Sequence, residues 1–322
     1  MKECTIFVAL AAYCEPELEL TIKDCIAKSS KPDNLRFGIC LQYDAGGEKE
    51  IQADCIDHLI TDKRIRVIKF DHRESKGGCW ARNLVQTMYA EEDYTIQVDA
   101  HTRFVEGWDQ TLINMVQRFP SEKPLITGFP PLYFRHDEVD SYTCLDWRGY
   151  TNTTVMEQWS PDGWIHHPTH DIKENFKSPR YTRFLSGAFV FTSGEWNKTI
   201  MQDPEHYYSG EEFALTLRSY THGYDLFTPD EIVVWHRCHP EANRKHFSDF
   251  ENEISQKHHN KAMKRLNLLM KGDPAGELGR FGLGTTRNLE DFYNFSGLDC
   301  ENFEAHPDAI AGVPPNPQTI KR

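Results

Sequence analysis

Short apolar runs alternate with amphipathic stretches along the first 130 residues. TIFVALAAY, LRFGICLQYD, IRVIKF, YTIQVDA and PLITGF read as strands, while ELELTIKDCIAKS, EKEIQADCIDHLI, CWARNLVQTMYA and WDQTLINMVQRF read as helices between them. Strands alternating with helices are βαβ units, which assemble into a mostly parallel sheet in a three-layer α/β architecture. Ligands of such sheets bind beyond the carboxyl ends of the strands. Asp44 and Asp99 stand at two such ends.

From 131 to 183 the periodicity dissolves into a stretch holding Trp147, Trp159, Trp164, His166, His167 and His170. A loop this long in a compact domain is functional or disordered, and this aromatic content argues against disorder. Two readings stand open: a binding wall, or loop residues packing a satellite core. FLSGAFVFTS then returns as a strand, GEEFALTLRSYTHG as a helix closed by Gly223, and DLFTPDEIVVWHR as strand material. After residue 240 the chain changes to a polar helix, FSDFENEISQKHHNKAMKRLNLLMKG, and then to the Gly-rich GRFGLGTTRNLEDFYNFSGLD.

Composition narrows the classes. At 322 residues, 39% hydrophobic and 12% aromatic, the chain has the material for a large globular core. No apolar run approaches a membrane span, so a soluble protein is expected. A net charge of -13 disfavours a partner held through many phosphates, as in nucleic-acid binding. It is compatible with a metal site. Nine cysteines without a C-x-x-C pair exclude a zinc ribbon and suit a reducing compartment, the cytoplasm, better than a disulfide framework. The opening MKECTIFVALAAYCEPE resembles a short secretion signal, but Lys2 and Glu3 cancel in charge and no clear cleavage site follows, so it reads as a first strand.

Two stretches carry candidate chemistry. YTIQVDAHTRF ends a strand in Asp99, a small residue and His101. In an extended chain, side chains two apart share a side, so both can converge on a divalent metal. A capping or turn Asp followed by a surface His is the other reading. SKGGCWARN places Gly78 at a helix start and Arg82 in its first turns. Helix N-termini attract phosphate and Arg takes two phosphate oxygens, but a plain strand-to-helix turn also uses such glycines. The spacing matches neither the dinucleotide nor the P-loop fingerprint.

At this point the residues resemble a known family. ARN, YTIQVDAHTRF, WD, SGEEFALTLRSYTHGYDLFTP, VVWHR and GLGTTRNLEDFYNFSG, in this order from about 5 to 300, look like the GlcNAc-transferase family that includes the Skp1 hydroxyproline GlcNAc-transferases. The resemblance implies a GT-A fold, a nucleotide-sugar donor, a divalent cation and transfer with retention. The polypeptide GalNAc-transferases are more distantly similar, through a D-x-H motif, a Gly-Glu segment leading into a helix, and a later His that ligates the metal. Carried over by motif, these fall on Asp99 and His101, on Gly210, Glu211 and Glu212, and on His236. Ala100 stands where that family has Ser. The stretch 131–183 matches least, which puts the acceptor in doubt.

The expected organisation is a GT-A domain over 1–240, with a nucleotide-binding half at 1–130 and an acceptor half at 131–240, then a C-terminal helical extension and tail at 241–322. A metal bridging the diphosphate of a departing UDP neutralises its charge as a Lewis acid. One oxygen and two imidazoles from Asp99, His101 and His236 favour Mn²⁺ over Mg²⁺ and leave zinc open. Ala11, Tyr13, Glu15 and Asp44 are expected to border the nucleotide. Glu211 and Glu212 open a helix, where carboxylates also serve its dipole; the functional reading has one of them bind sugar or acceptor hydroxyls. The leading reading is transfer of GlcNAc from a UDP-sugar to a hydroxyl of a protein or other macromolecule. An inverting enzyme with Glu211 or Glu212 as general base, a silent sugar-nucleotide binder, a phosphate-ester hydrolase, and transfer to a non-protein acceptor such as modified DNA or a glycan are the alternatives.

Overall fold

The computed structural model describes residues 4–46, 51–136, 141–144, 151–154, 156–160, 163, 165–166, 169–172, 179–208, 210–237, 246, 249, 252–316 and 318. Strands β1 (Ile6–Tyr13), β2 (Leu35–Tyr43), β3 (Ile65–Asp71) and β4 (Tyr94–Asp99) run parallel in the order β4, β1, β2, β3. From Ile6 to Leu10 every residue of β1 is buried. A strand covered on both faces needs the unbroken apolar run that the sequence supplies there. Helices α1 (Leu18–Ala27) and α2 (Gly78–Gln86) are the crossovers after β1 and β3.

The sheet continues beyond β4. After β5 (Thr102–Phe104), α3 (Trp108–Arg118) and β6 (Pro124–Thr127), the chain makes its long excursion through β7 (Leu132–His136) and β8 (Ser141–Cys144). Two short ribbons follow, β9 (Thr151–Thr154) with β12 (Thr169–Ile172) and β10 (Gln158–Trp159) with β11 (Ile165–His166). The chain returns through β13 (Arg180–Tyr181) to β14 (Phe189–Ser193), which lies antiparallel between β4 and β6. Helices α4 (Trp196–Thr199) and α5 (Glu211–Thr221) lead to β15 (Asp225–Thr228), completing eight strands in the order β13, β15, β6, β14, β4, β1, β2, β3. Six of these run one way, so the sheet is mostly parallel, as expected, with β14 and the edge strand β13 reversed.

A second sheet holds β5, β16 (Val234–Arg237), β7 and β8. It grows directly out of the end of β4 and supplies one wall of the site. The C-terminal helices α6 (Asn252–Met270) and α7 (Leu289–Ser296), a ribbon of β17 (Leu298–Asp299) with β18 (Glu304–Ala305), and α8 (Pro307–Ile310) follow. Met263, Leu266, Leu269 and Phe292 join the same apolar cluster as the sheet residues. Among the described residues no helix is long and apolar enough to cross a membrane.

One expected element takes another form. Residues 51–60, read as part of a helix, fold as successive tight turns closed by Cys55 N–H to Gln52 O, Asp57 N–H to Asp54 O and Leu59 N–H to Ile56 O. Asp at 54 and 57 favours local turns over a helix interior, and burial of Ile51 and Ile56 anchors the segment instead.

Candidate active site

The site begins where β4 ends. Asp99 is the last residue of β4, Ala100 and His101 form a turn, and β5 starts at Thr102. The carboxylate and imidazole therefore converge through a turn, not through the pleat of a continuous strand. Helix α1 fixes that turn: Thr21 Oγ1 donates to Ala100 O at 2.8 Å and accepts from Thr102 N at 3.1 Å. Ala100 is buried, so a small side chain is what this packing accommodates. β16 pairs antiparallel with β5, His236 opposite Thr102, and Arg237 N donates to His101 O. This register delivers His236 across more than 130 positions of sequence.

Three donor atoms meet here. His236 Nε2 lies 3.2 Å from Asp99 Oδ2 and 2.9 Å from His101 Nε2, and His101 Nε2 is 4.0 Å from Asp99 Oδ2. One carboxylate oxygen and two imidazole nitrogens, all within 4.8 Å of one another, make a donor set suited to a divalent cation. Glu15 Oε2 sits 2.8 Å from His101 Nδ1. Burial works against the charged form of Asp99, but the His236 hydrogen bond and the charges of Arg82, His101 and His236 hold its carboxyl well below the usual range. Burial likewise disfavours His101 as a cation; the bond to Glu15 and the Glu15 charge outweigh it and raise its pKa.

Arg82, on α2, spans the floor. It donates to Glu211 Oε1 at 2.9 Å, to Asp99 Oδ1 at 3.0 Å and to Gly187 O at 3.1 Å. A Cβ on Gly187 would lie 2.7 Å from Arg82 Nη1, so the glycine leaves the guanidinium its place. Glu211 Oε2 accepts from the Cys79 thiol. Burial raises the Glu211 pKa, and Arg82 and Cys79 offset only part of that. Gly77, at φ +105°, caps α2, and Gly77 and Gly78 place the N-terminus of that helix in the lining of the same cavity.

Glu15, Arg82, Asp99, His101, Glu211 and His236 line a cavity of about 250 Å³ at the carboxyl ends of β1, β2 and β4. Its far side is aromatic: Tyr13 packs on His246 at 5.2 Å between ring centroids, and its hydroxyl donates to Asp249 at 2.8 Å. Burial, the main influence, pushes the His246 imidazole down to about 4.

Against known proteins, the chain matches the family model described as Glycosyltransferase (GlcNAc) over residues 5–58 and 47–302. It belongs to that glycosyltransferase family. No curated protein matches it. Among solved structures it is similar to a crystal structure of GalNAc-T7 with UDP, GalNAc and Mn2+, with TM-score 0.59 and 13% identity over 90% of this chain. The match covers 54% of that protein, so this chain spans about half its length. The likeness shows the fold, which is of the GT-A type.

In this glycosyltransferase Ala11, Tyr13, Glu15, Gly78, Arg82, Asp99, His101, Glu211 and His236 line one cavity. Asp44 and Glu212 are not among its lining residues. Asp44 is buried beside it, accepting from Gly46 N at 2.9 Å. Glu212 turns to the backbone, accepting from Gly187 N at 2.7 Å. Gln42, Ser75, Gly77, Tyr208 and His246 line the cavity without having been singled out in the sequence. For Ser75 and Gly77 the signal was the SKGG turn itself; Gln42 lies inside an apolar strand and offered none.

Of the aromatic stretch, Trp147, Trp164 and His167 lie outside the described residues, and only the backbone of His166 and His170 is described. Trp159 packs on Phe213 at 5.8 Å and Phe303 at 5.3 Å, against the main core. This residue packs on the main core, not on a satellite one.

Proposed function

We propose that this glycosyltransferase moves GlcNAc from a UDP-sugar to a hydroxyl of a protein or other macromolecular acceptor, with retention of configuration and a divalent cation, Mn²⁺ in preference to Mg²⁺. The observation that carries the reading is the meeting of Asp99, His101 and His236 in a cavity at strand carboxyl ends, beside the N-terminus of α2. The bound UDP and Mn2+ named for the GalNAc-T7 structure support the choice of donor and metal.

Asp99, His101 and His236 would hold the cation, which when bound neutralises the diphosphate charge that develops as the sugar leaves. The first N–H groups of α2 serve the phosphates. Arg82 keeps the Asp99 and Glu211 carboxylates apart and in place, and its positive charge adds to the field around the leaving group. Glu211, raised in pKa and facing the cavity, is placed to bind a sugar hydroxyl. Glu212 holds the Gly187 turn that carries the Arg82 contact. Both carboxylates are engaged by protein donors, which favours a front-face displacement in which the departing phosphate takes the acceptor proton over attack by an enzymic nucleophile. A cytoplasmic setting rests on the cysteine pattern.

Incubation with a panel of UDP-sugars and Mn²⁺, following UDP release into water, tests the proposal. Release is expected to be greatest with UDP-GlcNAc and to stop on chelation and in Asp99→Ala. Undiminished release in folded Asp99→Ala overturns it.

A further inference from the structure

We infer that Glu15 is a positioning residue for the cation site: it fixes the tautomer and ring orientation of His101 so that Nε2 faces Asp99 and His236. This rests on the proposed reading of that site. The Glu15 carboxylate is itself held at both oxygens, Oε1 accepting from Glu17 N at 3.0 Å while Oε2 lies 2.8 Å from His101 Nδ1. A carboxylate oxygen at this distance selects the tautomer with the proton on Nδ1, the one that offers the Nε2 lone pair to the donor cluster.

The turn that carries Glu15 is built to stay put. Cys14 sits at φ +45°, in the left-handed region that non-glycine residues rarely adopt, and its N–H donates to Gln42 O at 2.8 Å. Glu17, fully buried at the other end of the turn, pairs with Arg103 and, at 3.2 Å, with Arg237. Those arginines stand two residues after His101 and one after His236, so the segment Cys14–Glu17 braces β5, which follows the His101 turn, and β16, which carries His236.

His236 differs. Its Nδ1 is buried without a hydrogen-bond partner among the described residues. Among the described residues the protein thus holds the outer nitrogen of His101 with a carboxylate and gives the outer nitrogen of His236 no such partner, which makes Glu15 the group that fixes an imidazole of the cluster from behind. A partner of this kind also raises the basicity of the ligand it holds.

The experiment is a Mn²⁺ titration followed by electron paramagnetic resonance, with and without saturating UDP, alongside calorimetry of UDP without metal. It compares wild type, Glu15→Ala, Glu15→Gln, His101→Ala and Glu15→Ala/His101→Ala, each checked for folding by thermal melting. Glu15→Ala is expected to weaken Mn²⁺ binding by about 10- to 100-fold. Glu15→Gln, whose amide oxygen still accepts from Nδ1–H, should lose less and serves as the variant least disturbing to the fold. The double variant should bind Mn²⁺ no more weakly than His101→Ala, because Glu15 acts through His101. UDP affinity without metal should not move. Full Mn²⁺ affinity in Glu15→Ala overturns the inference, as does an equal loss of metal-free UDP affinity, which makes Glu15 a nucleotide contact. Absence of Mn²⁺ binding by the wild type with UDP would overturn the cation site itself, a failure separate from that of Glu15.

Discussion

Two cavities of nearly equal size sit at opposite ends of the central sheet. One, of about 250 Å³, lies at the carboxyl ends of β1, β2 and β4; the other, of about 280 Å³, lies where the parallel strands β6 and β15 begin, among Lys123, His222, Asp225 and Arg287. Both are lined by charged and imidazole groups, yet they are wired differently. In the second, the basic and imidazole side chains are bonded to their own wall: Arg287 to Asp225 at 2.8 Å and to Tyr224 O at 3.2 Å, Lys123 to His222 O at 3.5 Å, and His222 Nδ1 to Arg218 O at 2.8 Å. In the first, an oxygen and two ring nitrogens from three positions are turned on one point. Volume does not separate the two; convergence of donor atoms does.

Substitutions can break that comparison, beginning with the largest effect. Asp99→Asn removes the only carboxylate of the donor cluster, and UDP release from UDP-sugar is expected to fall by more than about a hundredfold, since metal and phosphate charge are no longer matched. An initial-rate assay with saturating Mn²⁺ reads this directly. Retention of wild-type rate would erase the distinction between the two cavities.

Arg82→Ala leaves Asp99 and Glu211 without the cation between them. Breaking a buried ion pair from one side costs about 3 kcal/mol, to be read from denaturant melts, and transfer is expected to fall by about tenfold or more, in keeping with a lost charge-assisted contact. A folded variant with wild-type stability and kinetics would show that the bridge does neither task.

The neighbouring carboxylates sharpen the picture further. Glu211→Gln alters the cavity wall itself and should depress transfer by about tenfold, the size of one charged hydrogen bond. Glu212→Gln keeps an oxygen for Gly187 N and should cost about threefold, appearing mostly in kcat. The reverse order would exchange the roles assigned to the pair. The smallest effect is expected at the far cavity: Lys123→Ala should leave transfer within about twofold and stability within about 0.5 kcal/mol, as for a partly exposed cation. A tenfold loss there would mean that the second cavity communicates with the first.

The chain's own pattern makes some of this readable in advance and hides the rest. Asp99 and His101 were legible because a buried strand that ends in two polar side chains breaks its own periodicity. Arg82 was legible as a helix-start residue beside glycines, but not as the bridge between Asp99 and Glu211, because the latter is 129 positions away. Glu15 was picked as a base neighbour, whereas its carboxylate lies on His101, 86 positions on. Its place just after the first strand is a local property, whereas its partner is not.

Local chemistry determined the strands and most of the helices, because hydrophobic periodicity and glycine punctuation act over a few residues. It also named the residue types that the site uses. Tertiary structure alone decided which of them meet: the reversal of β14 beside β4 brings Gly187 under Arg82, and the antiparallel register of β16 on β5 brings His236 to His101. The physical reason is that strand order and register are chosen by packing of the whole core, where a one-residue slip would turn His236 to the opposite face, and no single segment carries that energy by itself.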